Sequence, residues 1–394
     1  MKVAIALGGT DYGRSGLGRW TRAVLPPLRR SLAARGATLV AIGTDREAEA
    51  YRDELAGVDR HRAPSVFDRP SLSAVYAVGL ASLEARRAGA NVLVFPAANR
   101  RASWVKSLPT IAVVHDLRTA SDPGRHGQLR RWFVREVIGR ALGRARSIVA
   151  VSATTADEIH ALLGDDVPEV TVVRNGVDTR RFCPADAGDP RVARARRALS
   201  LTEPYLLYPS RFEAPAKNHQ RLIEAFARSS ARATHKLVLV GPDWGGEGAA
   251  RSLADRLGVA DRVCFGGAVS DDTLSGLYAG ASLVTVVGTA EGFGLPVLEA
   301  LASGVPVLAA RAGALPEVVG SHGALVDPYS VPAMCAAIDA CLADDAFASR
   351  ARRDGPVYAS EHSWDRAAES LASLCFSATR SSVALPSRAV EVLS

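Results

Sequence analysis

The chain has 394 residues, of which 48% are hydrophobic and 23% are charged. This length predicts two or three domains, and the composition is typical of a globular protein and excludes a disordered one. The net charge of +7 is unevenly distributed, because residues 1–200 carry a net +12 and residues 201–394 a net −5. The two halves are therefore expected to meet different partners.

Several classes of protein are excluded by simple patterns. No apolar run approaches the ~20 residues that crossing a bilayer requires, and the opening MKVAIALGGT is too short for a signal peptide. The five cysteines have no CxxC spacing, which argues against a disulfide framework or a zinc site. The sequence contains no signature of a nucleic-acid-binding motif. We therefore expect a cytoplasmic protein that binds neither a metal nor nucleic acid.

The first half alternates short apolar runs with helical patterns. Buried parallel strands are predicted at VAIAL (3–7), ATLVAIG (37–43), NVLVFP (91–96), TIAVVHD (110–116), ARSIVAVS (145–152) and VTVVRN (170–175). Helices are predicted from Arg19 to about Ala34, over 71–89 and over 126–145. This alternation is typical of βαβ units, in which a parallel sheet is covered on both faces.

A segment containing Pro184, Gly188, Pro190 and an arginine-rich helical run is typical of a linker over 183–199, and a second alternating series follows it. Strands of this series are predicted at 205–210, 235–241, 262–267, 282–287, 306–310 and 324–328. We therefore expect an α/β fold with two doubly wound domains. The predicted domains span 1–185 and 186–362. A final helix is predicted over 363–380, followed by a loosely ordered tail over 381–394.

The most specific motif is EGFGLPVLEALASGVPV, which begins at Glu291. It combines a Gly-Phe-Gly turn with Pro296, a residue suited to the first turn of a helix. Free backbone N–H groups at such a helix start favour a diphosphate or sugar oxygens. Glu291 is placed to reach a ligand there, and Glu299 to accept hydrogen bonds from two neighbouring hydroxyls such as those of a ribose. Either glutamate alone also fits an ordinary turn or helix residue.

A second motif, SRFEAPAKNH, contains Arg211 and Lys217. Both follow a predicted strand, at the carboxyl edge where open parallel sheets bind ligands. Two cations six residues apart are suited to a leaving diphosphate, because arginine offers a fork of donors and lysine a point charge. Arg211 alone is also typical of surface decoration in an arginine-rich chain, whereas Lys217 is one of only four lysines.

Two further patterns lie in the first half. The loop GRSGLGRW has Gly16 and Gly18 before a helix, which favours close approach of the backbone to a phosphate or sugar. The alternative is a glycine turn from strand to helix that binds no ligand. Arg19 in this loop is a candidate for the acceptor side. His115 and Asp116 end a predicted strand in the same crevice region, where His115 can contact the sugar. Asp116 is a candidate for the acceptor side and equally for a helix cap.

These motifs resemble those of the retaining nucleotide-sugar glycosyltransferases of family 4, which have the GT-B fold. EGFGLPVLEALASGVPV is similar to the E-x7-E motif of the family, SRFEAPAKNH to its Arg…Lys pair, and SGLGRWTR to its amino-terminal glycine loop. The resemblance covers nearly the whole chain. It implies two Rossmann-like domains with the active site in the cleft between them, and a final helix that crosses back to the first domain. It assigns the nucleotide to the carboxy-terminal domain.

The resemblance also implies roles for individual residues. Glu299 holds the ribose hydroxyls and Glu291 the sugar ring. Arg211 and Lys217 neutralise the diphosphate, and the amide of Gly16 touches its distal phosphate. The backbone groups that hold the sugar with Glu291 are those of Gly292, Phe293, Gly294 and Leu295. His115 lies beside the transferred sugar.

The resemblance implies transfer from a nucleoside diphosphate sugar, with mannose or glucose as the usual sugar, to a hydroxyl of a glycan, lipid-linked or small-molecule acceptor. The chain has no Asp-x-Asp motif, so we expect no metal and no cofactor, with fixed cations and helix N–H groups in their place. The resemblance further implies retention of the anomeric configuration. The alternatives are a nucleotide-sugar epimerase or hydrolase on the same fold, or a binder without catalysis.

The basic surplus of the first half is concentrated near 126–145, where HGQLRRWFVREVIGRALGRA places Leu129, Phe133, Val137 and Ala141 between arginines. A basic amphipathic helix of this kind favours peripheral contact with an anionic membrane, here the inner face of the cell membrane. The alternative is a helix whose apolar side packs on its own domain while water solvates the arginines.

Overall fold

The computed structural model describes residues 1–117, 128–164 and 167–380, with every side chain of these ranges except that of Arg130. The chain divides into two compact units, one made of Met1–Asn175 with the chain from Trp364 onward, and the other of Gly176–Ser363. The boundary lies after Asn175, whereas the boundary predicted from the sequence lies after residue 185. The predicted tail, 381–394, lies outside the described residues.

The described part of the first unit contains a seven-stranded parallel sheet in the order β3-β2-β1-β4-β5-β6-β7. The strands are β1 (Lys2–Ala6), β2 (Thr38–Gly43), β3 (Asp59–Arg62), β4 (Val92–Phe95), β5 (Thr110–Val114), β6 (Ser147–Ala150) and β7 (Val170–Val172). Six of them coincide with the predicted apolar runs, which are buried because helices cover both faces. Strand β3 has the polar sequence DRHR at the sheet edge and therefore gives no hydrophobic signal.

The described helices of Met1–Asn175 are α1 (Gly16–Ala34), α2 (Asp45–Ala50), α3 (Pro70–Gly79), α4 (Ala81–Arg87), α5 (Gln128–Trp132), α6 (Gly139–Leu142) and α7 (Ala153–Leu163). Two predicted long helices are interrupted. The helix predicted over 71–89 breaks at Leu80, and a π-helical segment, Phe133–Ile138, separates α5 from α6. The first residues of the predicted 126–145 helix lie outside the described part.

The second unit contains a six-stranded parallel sheet in the order β10-β9-β8-β11-β12-β13 among the described residues. The strands are β8 (Tyr205–Pro209), β9 (Lys236–Val240), β10 (Val263–Gly267), β11 (Leu283–Val286), β12 (Val307–Ala310) and β13 (Ala324–Val326). All six are predicted from the sequence. The first strand, β8, lies inside the sheet between β9 and β11, so the loops after these three strands are neighbours at one edge.

The helices of the second unit are α8 (Pro190–Ala198), α9 (His219–Arg228), α10 (Glu247–Arg256), α11 (Asp271–Ala279), α12 (Leu295–Ala302), α13 (Leu315–Val319), α14 (Val331–Ala343) and α15 (Asp345–Ser360). Helix α8 corresponds to the arginine-rich helical run predicted within the linker segment. It packs on α11 so closely that a Cβ at Gly276 would lie 2.4 Å from the carbonyl oxygen of Arg191. The apparent helix breakers Gly355 and Pro356 both lie within α15.

The last described helix, α16 (Trp364–Arg380), belongs to the first unit and packs on α1. Arg30 forms an ion pair with Asp365 at 2.7 Å, and Arg35 forms one with Glu369 at 3.4 Å. These pairs are exposed and contribute little stability, so the apolar side of α16, including the buried Leu371 and Cys375, holds the helix in place.

Candidate active site

The strongest contact among the predicted site residues joins Lys217 and Glu291. Nζ of Lys217 lies 2.5 Å from Oε1 of Glu291, and the two side chains are only 11% and 16% exposed. Lys217 follows β8 and Glu291 follows β11, which are paired in the sheet. The parallel register therefore places both residues at one carboxyl edge, as the ligand site of an open α/β sheet requires.

The backbone around Lys217 is fixed on both sides. The N–H of Lys217 donates to the carbonyl of Glu213 at 2.9 Å, and its own carbonyl accepts from the hydroxyl of Tyr208 at 2.5 Å. The next residue, Asn218, has a left-handed φ of 58°. Its side-chain amide donates to the carbonyls of Val287 (3.1 Å) and Pro328 (2.7 Å). The lysine loop is thus tied to the ends of β11 and β13, which limits the movement of its ammonium group.

Arg211 lies just after β8, and two side chains, Glu213 and Trp244, hold its guanidinium group. Its Nε donates to Oε2 of Glu213 at 2.7 Å, and its Nη2 lies 2.6 Å from the same oxygen. The Cζ atom lies 4.6 Å from the centre of the Trp244 ring. Trp244 belongs to the loop after β9, so the loops after the neighbouring strands β8 and β9 together hold the guanidinium group of Arg211.

The glycine turn before α12 has the conformation that its sequence predicts. Gly294 has φ 105° and precedes Leu295, the first residue of α12. A Cβ at this position would lie 2.6 Å from Cδ2 of Leu315, so both the backbone and the space require glycine. Phe293 is buried and anchors the turn, while Gly292 is partly exposed. Helix α12 starts four residues after Glu291, and a helix start of this kind is suited to anionic oxygens.

Glu299 lies on α12 and is only 8% exposed. Its Oε2 accepts a hydrogen bond of 2.5 Å from the hydroxyl of Tyr278, which comes from α11. A buried carboxylate needs such a donor, because removing its charge from water without a partner is costly. The tyrosine fixes the orientation of this carboxylate, which is the geometry that recognition of a diol requires.

His115 ends β5 in the first unit and is partly buried. Its Nε2 donates to the carbonyl of Pro96 at 2.9 Å, and the ring of Trp20 meets it edge-on at a centroid distance of 5.3 Å. Burial lowers the pKa of His115 to about 4, against a smaller opposing effect of the hydrogen bond and of Asp116. At neutral pH the imidazole is therefore uncharged, with Nδ1 in the acceptor form. Asp116 follows it and is partly exposed.

The loop before α1 distinguishes its two glycines. Gly16 is the exposed first residue of α1, and a Cβ there would meet no atom within 4 Å. At Gly18, by contrast, a Cβ would lie 2.4 Å from Cα of Gly13. Gly18 is therefore needed for packing of the loop. Ser15 has φ −100° and caps α1 by accepting from the N–H of Gly18, and Arg19 is exposed in the first turn.

The basic segment is only partly amphipathic. Leu129 is 78% exposed and Trp132 56%, whereas Val134 and Ile138 are buried and Phe133 packs against the core. The π-helical segment and α6 therefore pack their apolar side on their own unit, as the predicted alternative has it. Helix α5, by contrast, presents apolar side chains to solvent. Residues 118–127, which include Arg118, Arg125 and His126, lie outside the described part.

Two further features concern membrane crossing and the cysteines. In the ranges described above, no helix combines the length and apolar composition needed to cross a membrane. All five cysteines are free thiols.

Several residues near the site are not evident from the sequence. Tyr278, Trp244 and Glu213 each contact a predicted site residue, and Asn218 ties the backbone next to Lys217 to Val287 and Pro328. Of these, only Asn218 carries a signal, since asparagine tolerates the left-handed backbone before a helix. Tyr278 and Trp244 are far along the chain from the residues they contact, and Glu213 belongs to a common residue type.

Comparison with known proteins agrees with the two-unit fold. The family described as Glycosyltransferase Family 4 matches residues 27–181, and the family described as Glycosyl transferases group 1 matches residues 191–356. A D-inositol 3-phosphate glycosyltransferase of Gordonia bronchialis is 31% identical over 68% of this chain and 59% of its own length. The corresponding protein of Salinispora tropica is 36% identical over 60% and 52%, respectively. The chain thus spans little more than half the length of these curated relatives.

Solved structures show the same fold at low sequence identity. A glycosyltransferase from Rickettsia africae has a TM-score of 0.73 at 16% identity, with 97% of this chain and 99% of that chain covered. HepE of Anabaena, solved in complex with UDP and glucose, has a TM-score of 0.73 at 20% identity, with 96% and 100% covered. The predicted fold class is confirmed by these likenesses and by the two parallel sheets. The chain belongs to the family 4 glycosyltransferases, which have the GT-B fold.

Proposed function

We propose that the protein transfers a hexose, of mannose or glucose type, from a nucleoside diphosphate sugar to an acceptor hydroxyl with retention of the anomeric configuration. The contact between Lys217 and Glu291 carries this proposal. It brings a buried ammonium group and a carboxylate together beside the start of α12. This combination matches a sugar whose leaving group is an anionic diphosphate, because the cation and the helix N–H groups stabilise the charge that develops there.

In the proposed reaction, the bond between the anomeric carbon and the diphosphate oxygen breaks. The acceptor oxygen forms its bond to the same face of that carbon, and the departing phosphate takes the proton of the acceptor hydroxyl. Lys217 and Arg211 stabilise the leaving group, where one such contact typically contributes ~3–4 kcal/mol to the transition state. Glu291 then needs no role as a base: it positions the sugar and stabilises positive charge on the ring.

The proposed donor site extends from Glu291 to Glu299 along α12. Glu299, oriented by Tyr278, accepts hydrogen bonds from the ribose, and the turn residues Gly292–Leu295 hold the sugar. In the first unit, the amide of Gly16 is proposed to contact the distal phosphate. The neutral imidazole of His115 is proposed to accept a hydrogen bond from the transferred sugar through Nδ1, because Nε2 already donates to Pro96.

We propose that this transfer requires no metal ion, because Lys217, Arg211 and the first N–H groups of α12 supply fixed positive charge for the diphosphate. Turnover in the presence of EDTA tests this directly. Undiminished turnover supports metal-free transfer, whereas loss of turnover that Mg²⁺ restores contradicts it.

The acceptor is proposed to be a hydroxyl compound bound by the first unit, for which Arg19 and Asp116 are candidate contacts. The names of the curated relatives favour a small phosphorylated polyol as the first acceptor to test, beside glycans and lipid-linked acceptors. A lipid-linked acceptor agrees with the exposed Leu129 and Trp132 of α5, which we propose make peripheral contact with an anionic membrane.

A panel of UDP-, GDP-, TDP- and ADP-sugars tests the donor. A nucleotide sugar that binds the folded state raises the unfolding temperature with concentration. The selected donor is then incubated with each acceptor class, and the anomeric configuration of the product is read by NMR. A product of inverted configuration contradicts retention. Isomerisation or hydrolysis of the donor, without transfer to any acceptor, contradicts the transferase and supports the epimerase or hydrolase.

A further inference from the structure

The guanidinium group of Arg211 is constrained on an edge and on a face. Oε2 of Glu213 accepts a hydrogen bond from Nε at 2.7 Å and lies 2.6 Å from Nη2 as an ion pair. The Trp244 ring lies under the same group, 4.6 Å from Cζ. Among the described residues, the structure shows no hydrogen-bond partner for Nη1. The two contacts therefore fix the plane of the guanidinium and leave one edge of donors available.

The position of Trp244 is determined by its backbone. Oδ1 of Asp243 accepts hydrogen bonds from the next N–H groups of the loop, those of Gly245 (2.8 Å), Gly246 (2.9 Å) and Glu247 (3.1 Å). The N–H of Trp244 donates to the carbonyl of Phe212 at 3.0 Å. Phe212 immediately follows Arg211, so the tryptophan and the arginine are fixed to each other through their main chains.

The exposure of Trp244 is unusual for so large an apolar side chain. Half of the side chain is exposed, although the loop that carries it is well ordered by hydrogen bonds. Burying this ring elsewhere would stabilise the fold through the hydrophobic effect. Its position over Arg211 instead provides a cation–π contact and a flat support for a planar group.

We infer that Trp244 is a positioning residue for the diphosphate of the donor. Its ring holds Arg211 so that Glu213 occupies one edge of the guanidinium and the opposite edge faces the phosphate oxygens. A guanidinium presented in this way pairs with phosphate through parallel hydrogen bonds, which depend on its orientation. This inference rests on the proposed function, because it takes the ligand to be a nucleoside diphosphate.

The probes that test the inference are inorganic pyrophosphate, UDP and uridine, measured by calorimetry on the full chain. Trp244→Ala is expected to weaken pyrophosphate and UDP by the same factor, about fivefold, because a cation–π contact contributes about 1 kcal/mol. Uridine binding should not change. Trp244→Phe keeps a ring under the arginine and should restore most of the affinity.

Two further variants make the outcome specific. In an Arg211→Ala background, Trp244→Ala should weaken pyrophosphate no further, since the ring acts through the arginine. Tyr329→Ala removes another exposed ring that supports an arginine, Arg221 at 5.5 Å, and should leave pyrophosphate binding unchanged.

Several outcomes would overturn the inference: unchanged affinity in Trp244→Ala, an additive loss in the Arg211→Ala background, equal weakening of uridine, or failure of the wild-type chain to bind pyrophosphate. The proposed function fails by a different result. A chain that binds pyrophosphate through Arg211 and Trp244 but accepts no nucleotide sugar keeps this inference and loses the transferase.

Discussion

The ammonium group of Lys217 lies 2.5 Å from the carboxylate of Glu291, although 74 residues separate them in the chain. The pair is largely removed from water, so each charge depends on the other. An ammonium has three N–H donors, and only one is needed for the carboxylate. Lys217 therefore has donors left for phosphate oxygens while Glu291 stays in place, so the pair is compatible with the roles proposed for it at the leaving group and at the sugar.

Lys217→Ala is expected to lower kcat/KM at least 100-fold, because it removes a fixed charge from the leaving group. It should also lower the free energy of unfolding by about 3 kcal/mol, since Glu291 remains buried without its partner. Denaturation and steady-state assays measure the two effects. The double variant Lys217→Met with Glu291→Gln should recover stability but not turnover.

Lys236→Ala is the matched control, a lysine of the same unit that pairs with Glu203 at 3.7 Å and has no part in the proposed site. It should retain wild-type turnover. Near-normal turnover in Lys217→Ala would contradict the assignment of the site.

Tyr278→Phe is expected to weaken the bound nucleoside diphosphate about fivefold, because the carboxylate of Glu299 loses the hydrogen bond that orients it. Binding of a 2′,3′-dideoxyribose analogue should not change, since that sugar offers no hydroxyl to Glu299. Tyr358→Phe removes a comparable hydroxyl that donates to Val318 at 2.9 Å, and it serves as the control. If Tyr278→Phe lost the same affinity for the nucleoside diphosphate and for its dideoxyribose analogue, Tyr278 would act on the fold and not on ribose recognition.

Gly294→Ala is expected to destabilise the second unit by about 1–3 kcal/mol and to weaken donor binding. The φ of 105° is unfavourable for alanine, and the added Cβ would lie 2.6 Å from Leu315. Gly248→Ala provides the comparison, because this glycine lies within α10 and its added Cβ meets no atom within 4 Å. That change should be neutral or slightly stabilising. Thermal unfolding with and without nucleotide measures both variants, and equal behaviour would contradict the geometry of the turn.

His219 predicts how stability depends on pH. The side chain is 6% exposed and stacks on Phe212 at a centroid distance of 4.5 Å, and burial lowers its pKa to about 4. Because the unfolded chain binds the proton more readily, the stabilisation is fully present above pH ~6.5 and is lost as the pH falls towards 4. The loss should approach about 3 kcal/mol.

His219→Gln should make this part of the pH profile of unfolding less steep and leave the contribution of His115, whose pKa burial likewise lowers to about 4. His160→Gln, on the exposed side of α7, should not change the profile. A wild-type slope in His219→Gln would show that other groups cause the acid sensitivity.

The exposed apolar side chains of α5 predict a measurable membrane contact. Replacing Leu129 and Trp132 together by serine should reduce co-sedimentation with phosphatidylglycerol vesicles at physiological salt and should not affect neutral vesicles. Val357→Ser, a change at an exposed valine of the second unit, is the control. Absence of wild-type binding to the anionic vesicles would contradict membrane contact, and the acceptor would then be sought among water-soluble compounds.

The strand pattern could be predicted because a parallel sheet covered on both faces demands continuous apolar runs, and these are local. The polar edge strand Asp59–Arg62 lacks such a run and was missed. The arginine-rich helical run of the predicted linker is helix α8. The break at Leu80 and the π-helical segment Phe133–Ile138 were also missed, since both interrupt helical patterns that look continuous.

By itself, the sequence determined two α/β units, the glycine turn before α12 and the residue types suited to a diphosphate. These properties depend on neighbouring residues, through backbone conformation and apolar periodicity. The tertiary structure alone decided that Lys217 meets Glu291, that Tyr278 orients Glu299 and that Trp244 supports Arg211. Each of these contacts joins separate loops or helices, so it depends on strand order and helix packing, which no local pattern specifies.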